Sequence, residues 1–296
     1  MNHTTALVSC FDRAFHVRNN QTHIFSDPAA YLLLKEDYAR IAQHMAEGIS
    51  FFLPGFTGSP EEGLHRIVDG QLSPSVLGRS AFCEQMLKEA VTAGCEQYLL
   101  LGAGYDTFGI RNPFPSLKVF EADLSDLLAD KQNRMQKAGL HSCAEPVPCD
   151  LSDPEWVNTL QKAGFDCSRQ TFVSLLGISY YLSNDSFHAL LSKLGRLLSN
   201  RSQLCFDIPL EEAGHEAQIN RALAQEAGEP MKAVYTSAEL LTMLKQCGFK
   251  LQRQLSPKQM TEQYFSAYNT ANPDHRIVAP KGVSYVLAEG KKGTDK

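Results

Sequence analysis

Beyond residue 80 the chain alternates two textures: short apolar runs, and longer stretches whose apolar positions recur every three or four residues. The first texture predicts buried strands and the second amphipathic helices. The strands fall at EQYLLL (96–101), KVFEAD (118–123), EPVPC (145–149), TFVSLLG (171–177), SQLCFDI (202–208), FKLQRQL (249–255) and VSYVLAEG (283–290). Turn residues punctuate the helices between them. One runs from about residue 81 to Gly94, one from Ser125 as its cap to Gly139, and one opens at Asp153-Pro154 and stops at Gly164. NDSFHALLSKLGRLLSN gives a fourth, and Thr236-Ser-Ala-Glu239 is a capping box for a fifth that ends at Gly248. Strand and helix in alternation predict an α/β fold, a Rossmann-like doubly wound sheet of seven strands, read as parallel.

Two regions stand outside that rhythm. Residues 1–80 are rich in helix signals, with Asp27 capping a helix that starts at Pro28 and runs to Gly48. They predict a helical N-terminal cap over a core of 81–296, and PGFTGSP with Phe51, Phe52 and Phe56 suits a lid. The polar stretch at about 211–235 predicts a helical insertion.

Composition narrows the function. Charged residues make up 21% of the chain and net charge is -5, so no basic field recruits nucleic acid. No apolar stretch is long enough to span a bilayer, and the first twenty residues lack the pattern of a secretion signal. The eight cysteines show no paired spacing and no clustering with histidine, so they read as free thiols, with no metal expected. A cytoplasmic location follows as an expectation.

The candidate chemistry gathers where strands end. In open α/β sheets, ligands bind outside the carboxyl ends of the strands. Those ends carry Gly102-Ala103-Gly104, Asp123, Asp150 and Gly177. The motif GAGYDT has two glycines but Thr107 where a dinucleotide fingerprint has its third, and the P-loop pattern is missing. Asp123 follows Gly104 by 19 residues, the distance at which a carboxylate takes ribose hydroxyls; Glu121 competes for that role. Asp150 stands where an adenine amino group could bind. Turn, ribose acid and adenine acid suit an adenosine ligand without phosphate, and S-adenosylmethionine is such a ligand.

Longer motifs carry a family resemblance. LGRSAFCEQMLKEAVTAGCEQYLLLGAGYDT, FEADLSDLLADKQNRM, CDLSDPEWVNTLQKAGFD and LLGISYYLS resemble successive segments of the leucine carboxyl methyltransferase-like family, in its bacterial small-molecule O-methyltransferase branch. The resemblance implies a class I fold with S-adenosylmethionine as cofactor and S-adenosylhomocysteine as product. It implies Asp123 for the ribose, Asp150 with Leu151 for the adenine, and Arg79 for the methionyl carboxylate. Lys131 matches the family lysine. Two departures stand out: the family arginine after Asp-Thr is Phe108 here, with Arg111 close by, and the family glutamate ending the fourth strand is Leu176.

The expected activity is O-methylation of a small organic acceptor, on carboxyl or hydroxyl. Tyr181 and Asp207 are candidate substrate contacts, Tyr180 or Tyr181 packing in the core; no histidine, His141, His188 and His215 included, has a context that marks a general base. Two alternatives remain open here: an NAD-dependent oxidoreductase on the same sheet, and a non-catalytic S-adenosylmethionine-binding protein. The partner expected is a small molecule rather than nucleic acid or a membrane.

Overall fold

Strand β1 (Gln97–Leu101) is buried at every position, so side chains pointing to either face of the sheet need cover. The computed structural model, which describes residues 4–209 and 234–291, supplies it on both sides. The helical elements before β1 are α1 (Thr4–Asn19), α2 (Pro28–Glu47), the one-turn α3 (Ile49–Phe52), α4 (Pro60–Ile67) and α5 (Ser73–Thr92). After β1 come α6 (Phe108–Arg111), β2 (Lys118–Asp123), α7 (Ser125–Ala138), β3 (Glu145–Pro148), α8 (Trp156–Lys162), β4 (Thr171–Leu175), α9 (Asn184–Leu197) and β5 (Gln203–Pro209). The chain closes with α10 (Ser237–Gln246), β6 (Phe249–Leu255) and β7 (Val283–Gly290).

The seven strands form one sheet in the order β3-β2-β1-β4-β5-β7-β6. It is not wholly parallel as expected. β7 pairs antiparallel with both β5 and β6, filling the gap between them after the helical segment that follows β6. Order reverses between β1 and β4, and there the crevice opens.

One face packs Leu77, Phe82 and Met86 of α5 against Tyr98, Leu100, Phe172 and Tyr285. The other packs Trp156, Phe187, Leu191 and Leu244 against Leu99, Leu101, Phe120 and Val173. A third cluster, with Phe11, Phe15, Leu34, Val68 and Tyr105, joins the N-terminal helices to the glycine turn. Among the described residues no helix is long and apolar enough to cross a membrane, and all eight cysteines are free.

Helix α5 begins at Ser73, not near residue 81, so residue 80 lies inside it. Pro74 occupies the first turn and Gly78 is a packing site. A Cβ on Gly78 would sit 3.0 Å from the Tyr285 hydroxyl, which donates to the Pro74 carbonyl at 3.1 Å. Ser125 does not cap α7: Leu124 holds the cap position and its N–H goes to Asp123. The insertion at 211–235, His215 included, lies outside the described residues apart from its last two positions.

Candidate active site

The turn after β1 is held open by backbone that only glycine adopts at low cost. Gly102 has φ +70° and Gly104 φ +53°. At Gly102 a Cβ would fall 2.4 Å from Ile178 Cδ1, so the missing side chain also lets the β4 loop close on the turn. Gly102 and Ala103 donate to the Ala122 carbonyl, at 2.9 and 3.2 Å. Gly104 N–H donates to Asp123 Oδ2 at 2.7 Å, and Leu124 N–H to Oδ1 at 2.7 Å. The group is half-buried, with its carboxylate at the mouth of the turn.

Glu121 points the same way along β2 but is not a second ribose acid. It is buried and receives Lys131 Nζ at 2.6 Å. Burial raises its carboxyl above the ordinary range despite the lysine charge. The match of Lys131 is thereby a buried ion pair under the crevice. Asp150 is exposed at the end of β3 and takes the Ser152 N–H at 2.8 Å, while Leu151 is half-buried against the core.

Across the switch point, Gly177 follows β4 at φ +69°. Its N–H donates to Asp207 Oδ1 at 2.7 Å. The Arg79 guanidinium covers its α-carbon so closely that a Cβ there would lie 2.7 Å from Nη1. Arg79 also approaches Asp207 Oδ2 at 3.5 Å and donates to Ser9 Oγ at 3.2 Å. Asp207, the candidate substrate contact, is enclosed by these partners instead of open at the strand end. It is fully buried, and besides Gly177 and Arg79 it accepts the Tyr180 hydroxyl at 2.9 Å. Burial first, then the Asp207 charge, raise the Tyr180 phenol well above its ordinary range. Tyr180 is thus the core member of the pair, and Tyr181 remains half-exposed.

Replacing Gly177 by alanine forces a left-handed residue into contact with Arg79. The strain costs about 1–3 kcal/mol. The expected outcome is a lower melting temperature and a roughly tenfold weaker S-adenosylhomocysteine titration as the guanidinium moves.

Sequence reading missed what α1 contributes. Arg13 donates to Asp27 Oδ2 at 2.8 Å and to the Tyr105 carbonyl in the turn at 2.8 Å. Asp27 is the expected cap of α2, accepting Ala30 N–H at 3.2 Å, but it also accepts the Thr107 hydroxyl at 2.6 Å. Arg111 joins at 3.2 Å from Asp27 and 2.6 Å from Glu84. Burial opposes charge on Asp27, and the two guanidinium groups with the Thr107 and Arg13 hydrogen bonds overcome it, holding its carboxyl below the usual range. Helix α1 also reaches the turn at Ala6, whose Cβ would be 3.5 Å from a Cβ on Gly104. Nothing local in the sequence signals these contacts, since Arg13 and Tyr105 are 92 residues apart.

A sheet in this order, with an antiparallel seventh strand beside the fifth and a glycine turn after the first, is the fold of class I S-adenosylmethionine-dependent methyltransferases. Two solved structures share it. A DUF574-family protein of Streptomyces avermitilis MA-4680 superposes with TM-score 0.59 at 16% identity, covering 96% of this chain and 97% of that one. A protein of Thermobifida fusca YX described as a methyltransferase gives 0.58 at 16% identity, over 88% and 93%. In sequence, the leucine carboxyl methyltransferase profile matches residues 6–195. A Bacillus subtilis (strain 168) protein named "Putative S-adenosyl-L-methionine-dependent methyltransferase YktD" is 33% identical over 302 aligned residues, 97% of each chain. The chain belongs to the leucine carboxyl methyltransferase family, and with it to the S-adenosylmethionine-dependent methyltransferases.

Proposed function

We propose that this protein transfers the methyl group of S-adenosylmethionine to an oxygen, carboxyl or hydroxyl, of a small organic molecule. One observation carries the cofactor reading against a dinucleotide. The glycine turn runs into a helix of only four residues, and its leading N–H, that of Phe108, is already bound by Asp106 Oδ1 at 2.7 Å. A pyrophosphate needs the free N–H groups and dipole of a longer helix. An uncharged adenosine needs only the open turn, acceptors for its hydroxyls and an acid for its amino group.

The residues present fit that ligand. Asp123 holds the ribose hydroxyls beside Gly104, and Asp150 with Leu151 flanks the adenine. Arg79, seated over Gly177, takes the methionyl carboxylate; a guanidinium pairs with a carboxylate through parallel N–H donors. The bound cofactor supplies a methyl on a sulfonium, ready for in-line displacement. What remains for the chain is to align an acceptor atom about 3 Å away and to keep water out. A carboxylate acceptor needs no base for this.

The small size of the acceptor is supported by the cover over the site. Ser9 meets Arg79, Ala6 faces Gly104 and Arg13 binds Tyr105, so α1 roofs the crevice instead of leaving an open groove for a protein chain. The half-exposed Tyr181, after β4, is our candidate for a side chain against the acceptor. The test is turnover: purified protein with S-adenosylmethionine and a panel of small carboxylic acids, phenols, alcohols, amines and thiols, scored by S-adenosylhomocysteine release and product mass. A mass gain of one methyl on oxygen supports the reading. Methylation confined to nitrogen or sulfur acceptors would sink it.

A further inference from the structure

We infer that His65, Asp69 and His275 form a binding site for one divalent transition-metal ion of the zinc type, clasping the N-terminal helices to the segment between β6 and β7. The three side chains come from two remote parts of the chain. His65 lies in the last turn of α4, Asp69 one turn on in the π-helical stretch Val68–Leu72, and His275 in the loop after a short helix, Ser266–Ala271. Each offers one ligand atom, and the three atoms all lie within 4.8 Å of one another.

The distances have the size a metal requires. His65 Nδ1 is 2.8 Å and His275 Nδ1 3.6 Å from the same oxygen, Asp69 Oδ2. An ion about 2.1 Å from each ligand, in tetrahedral or octahedral geometry, separates ligand atoms by about 3.0–3.4 Å. For the two imidazole–carboxylate pairs, closing onto an ion asks for shifts of a few tenths of an ångström, and the imidazole nitrogens lie within 4.8 Å of each other. The two imidazole rings lie side by side, centroids 4.3 Å apart and planes tilted by 53°.

The surroundings also favour a cation. Asp69 is 7% exposed while His65 and His275 are 19% and 33% exposed, so the anionic ligand is shielded and an entry path stays open. A second carboxyl, Asp12, is fully buried near enough to feel the Asp69 charge, and its Oδ2 has no hydrogen-bond partner. A cation beside Asp69 offsets both. The Tyr268 hydroxyl, 3.5 Å from Asp69 Oδ2 and 3.2 Å from Asn20 Oδ1, is placed to orient the carboxylate as an outer-shell partner. Two imidazoles and one carboxylate suit zinc, cobalt, nickel or ferrous iron over magnesium or calcium. A π-turn carrying a ligand is in keeping with the placement of such turns at functional sites. Sequence spacing does not reveal the set, since His275 stands far along the chain from Asp69.

Cobalt(II) is the probe, titrated into untagged, chelator-stripped full-length protein. The expected result is one equivalent per chain with a visible d–d spectrum of nitrogen and oxygen coordination. Zinc(II) should displace it and raise the melting temperature. His275→Ala, at a loop position a third exposed, should bind cobalt about 100-fold more weakly while keeping its circular dichroism and its S-adenosylhomocysteine affinity. His65→Gln should do the same, a second variant in case one fails to fold. No d–d spectrum in the wild type overturns the proposal. So does a spectrum that survives both substitutions, or an intense sulfur-to-cobalt charge-transfer band marking the exposed Cys143 as the ligand instead.

Discussion

Asp123→Asn weakens S-adenosylmethionine and S-adenosylhomocysteine binding by about 30- to 150-fold, which calorimetric titration reads directly. The size follows from what the carboxylate does. Its two oxygens already accept the Gly104 and Leu124 N–H groups at 2.7 Å each, so the carboxylate is locked in place before any ligand arrives. In the proposed binding mode ribose hydroxyls then donate to a preorganised anion, and hydrogen bonds to a charged group contribute about 1.5–3 kcal/mol each. An asparagine of the same shape keeps one acceptor and turns the other into a donor that meets a donor. A loss of about 2–3 kcal/mol is about 30- to 150-fold in Kd.

The control is the melting temperature without ligand. Asparagine replaces one acceptor oxygen of a half-buried group by a donor, so that temperature should drop by a few degrees at most. A variant that keeps full affinity for the adenosyl ligands would remove Asp123 from the site. Binding of NAD by the wild type in place of both adenosyl ligands would return the glycine turn to the dinucleotide class.

The parts of this fold that could be read from sequence are those set by local rules. Strand β1 and its glycine turn were legible because an apolar run must end where glycine supplies a positive φ. The capping box at Thr236 and the proline start of α2 are local as well. The direction of β7 was not, since VSYVLAEG pairs equally well either way and only its position between β5 and β6 decides. The start of α5 was hidden because Gly78 answers to Tyr285, a contact more than two hundred residues away. In the candidate site, chain position put Asp123 at the end of β2 and Gly177 just after β4, where the structure has them, but burial had to be seen. Asp207 ends its strand as a substrate acid would, yet Gly177, Arg79 and Tyr180 enclose it. Arg13, Ser9 and the histidine cluster stayed invisible because long-range contact leaves no local trace.

The second large effect concerns that long-range contact. Asp27→Ala removes the acceptor shared by Arg13, Arg111, Thr107 and the first turn of α2, and leaves the buried Arg13 guanidinium with carbonyl acceptors but without its paired carboxylate, while Arg111 keeps Glu84. Breaking a buried ion pair by deleting one partner costs about 3–5 kcal/mol. For a chain of this length that is roughly 6–10 °C in melting temperature. The pH dependence has a definite sign. The folded carboxyl lies below its usual range, so the unfolded chain takes up the proton first as pH falls. The stabilisation is therefore complete above the unfolded value of about 4 and is lost progressively as pH drops through that value towards the folded one. The gap between wild type and Asp27→Ala should be flat from pH 8 to about 5 and narrow below about 4 in thermal melts. Replacing Arg13 by methionine as well should cost less than the two single changes summed, since one stranded charge disappears with its partner. Because Arg13 and Thr107 tie the network to the turn at Tyr105, Asp27→Ala should also weaken S-adenosylhomocysteine binding, though by less than Asp123→Asn. A single variant that melts like the wild type at pH 7 would mean that solvent replaces the lost carboxylate and that the roof over the crevice is not held by this ion pair.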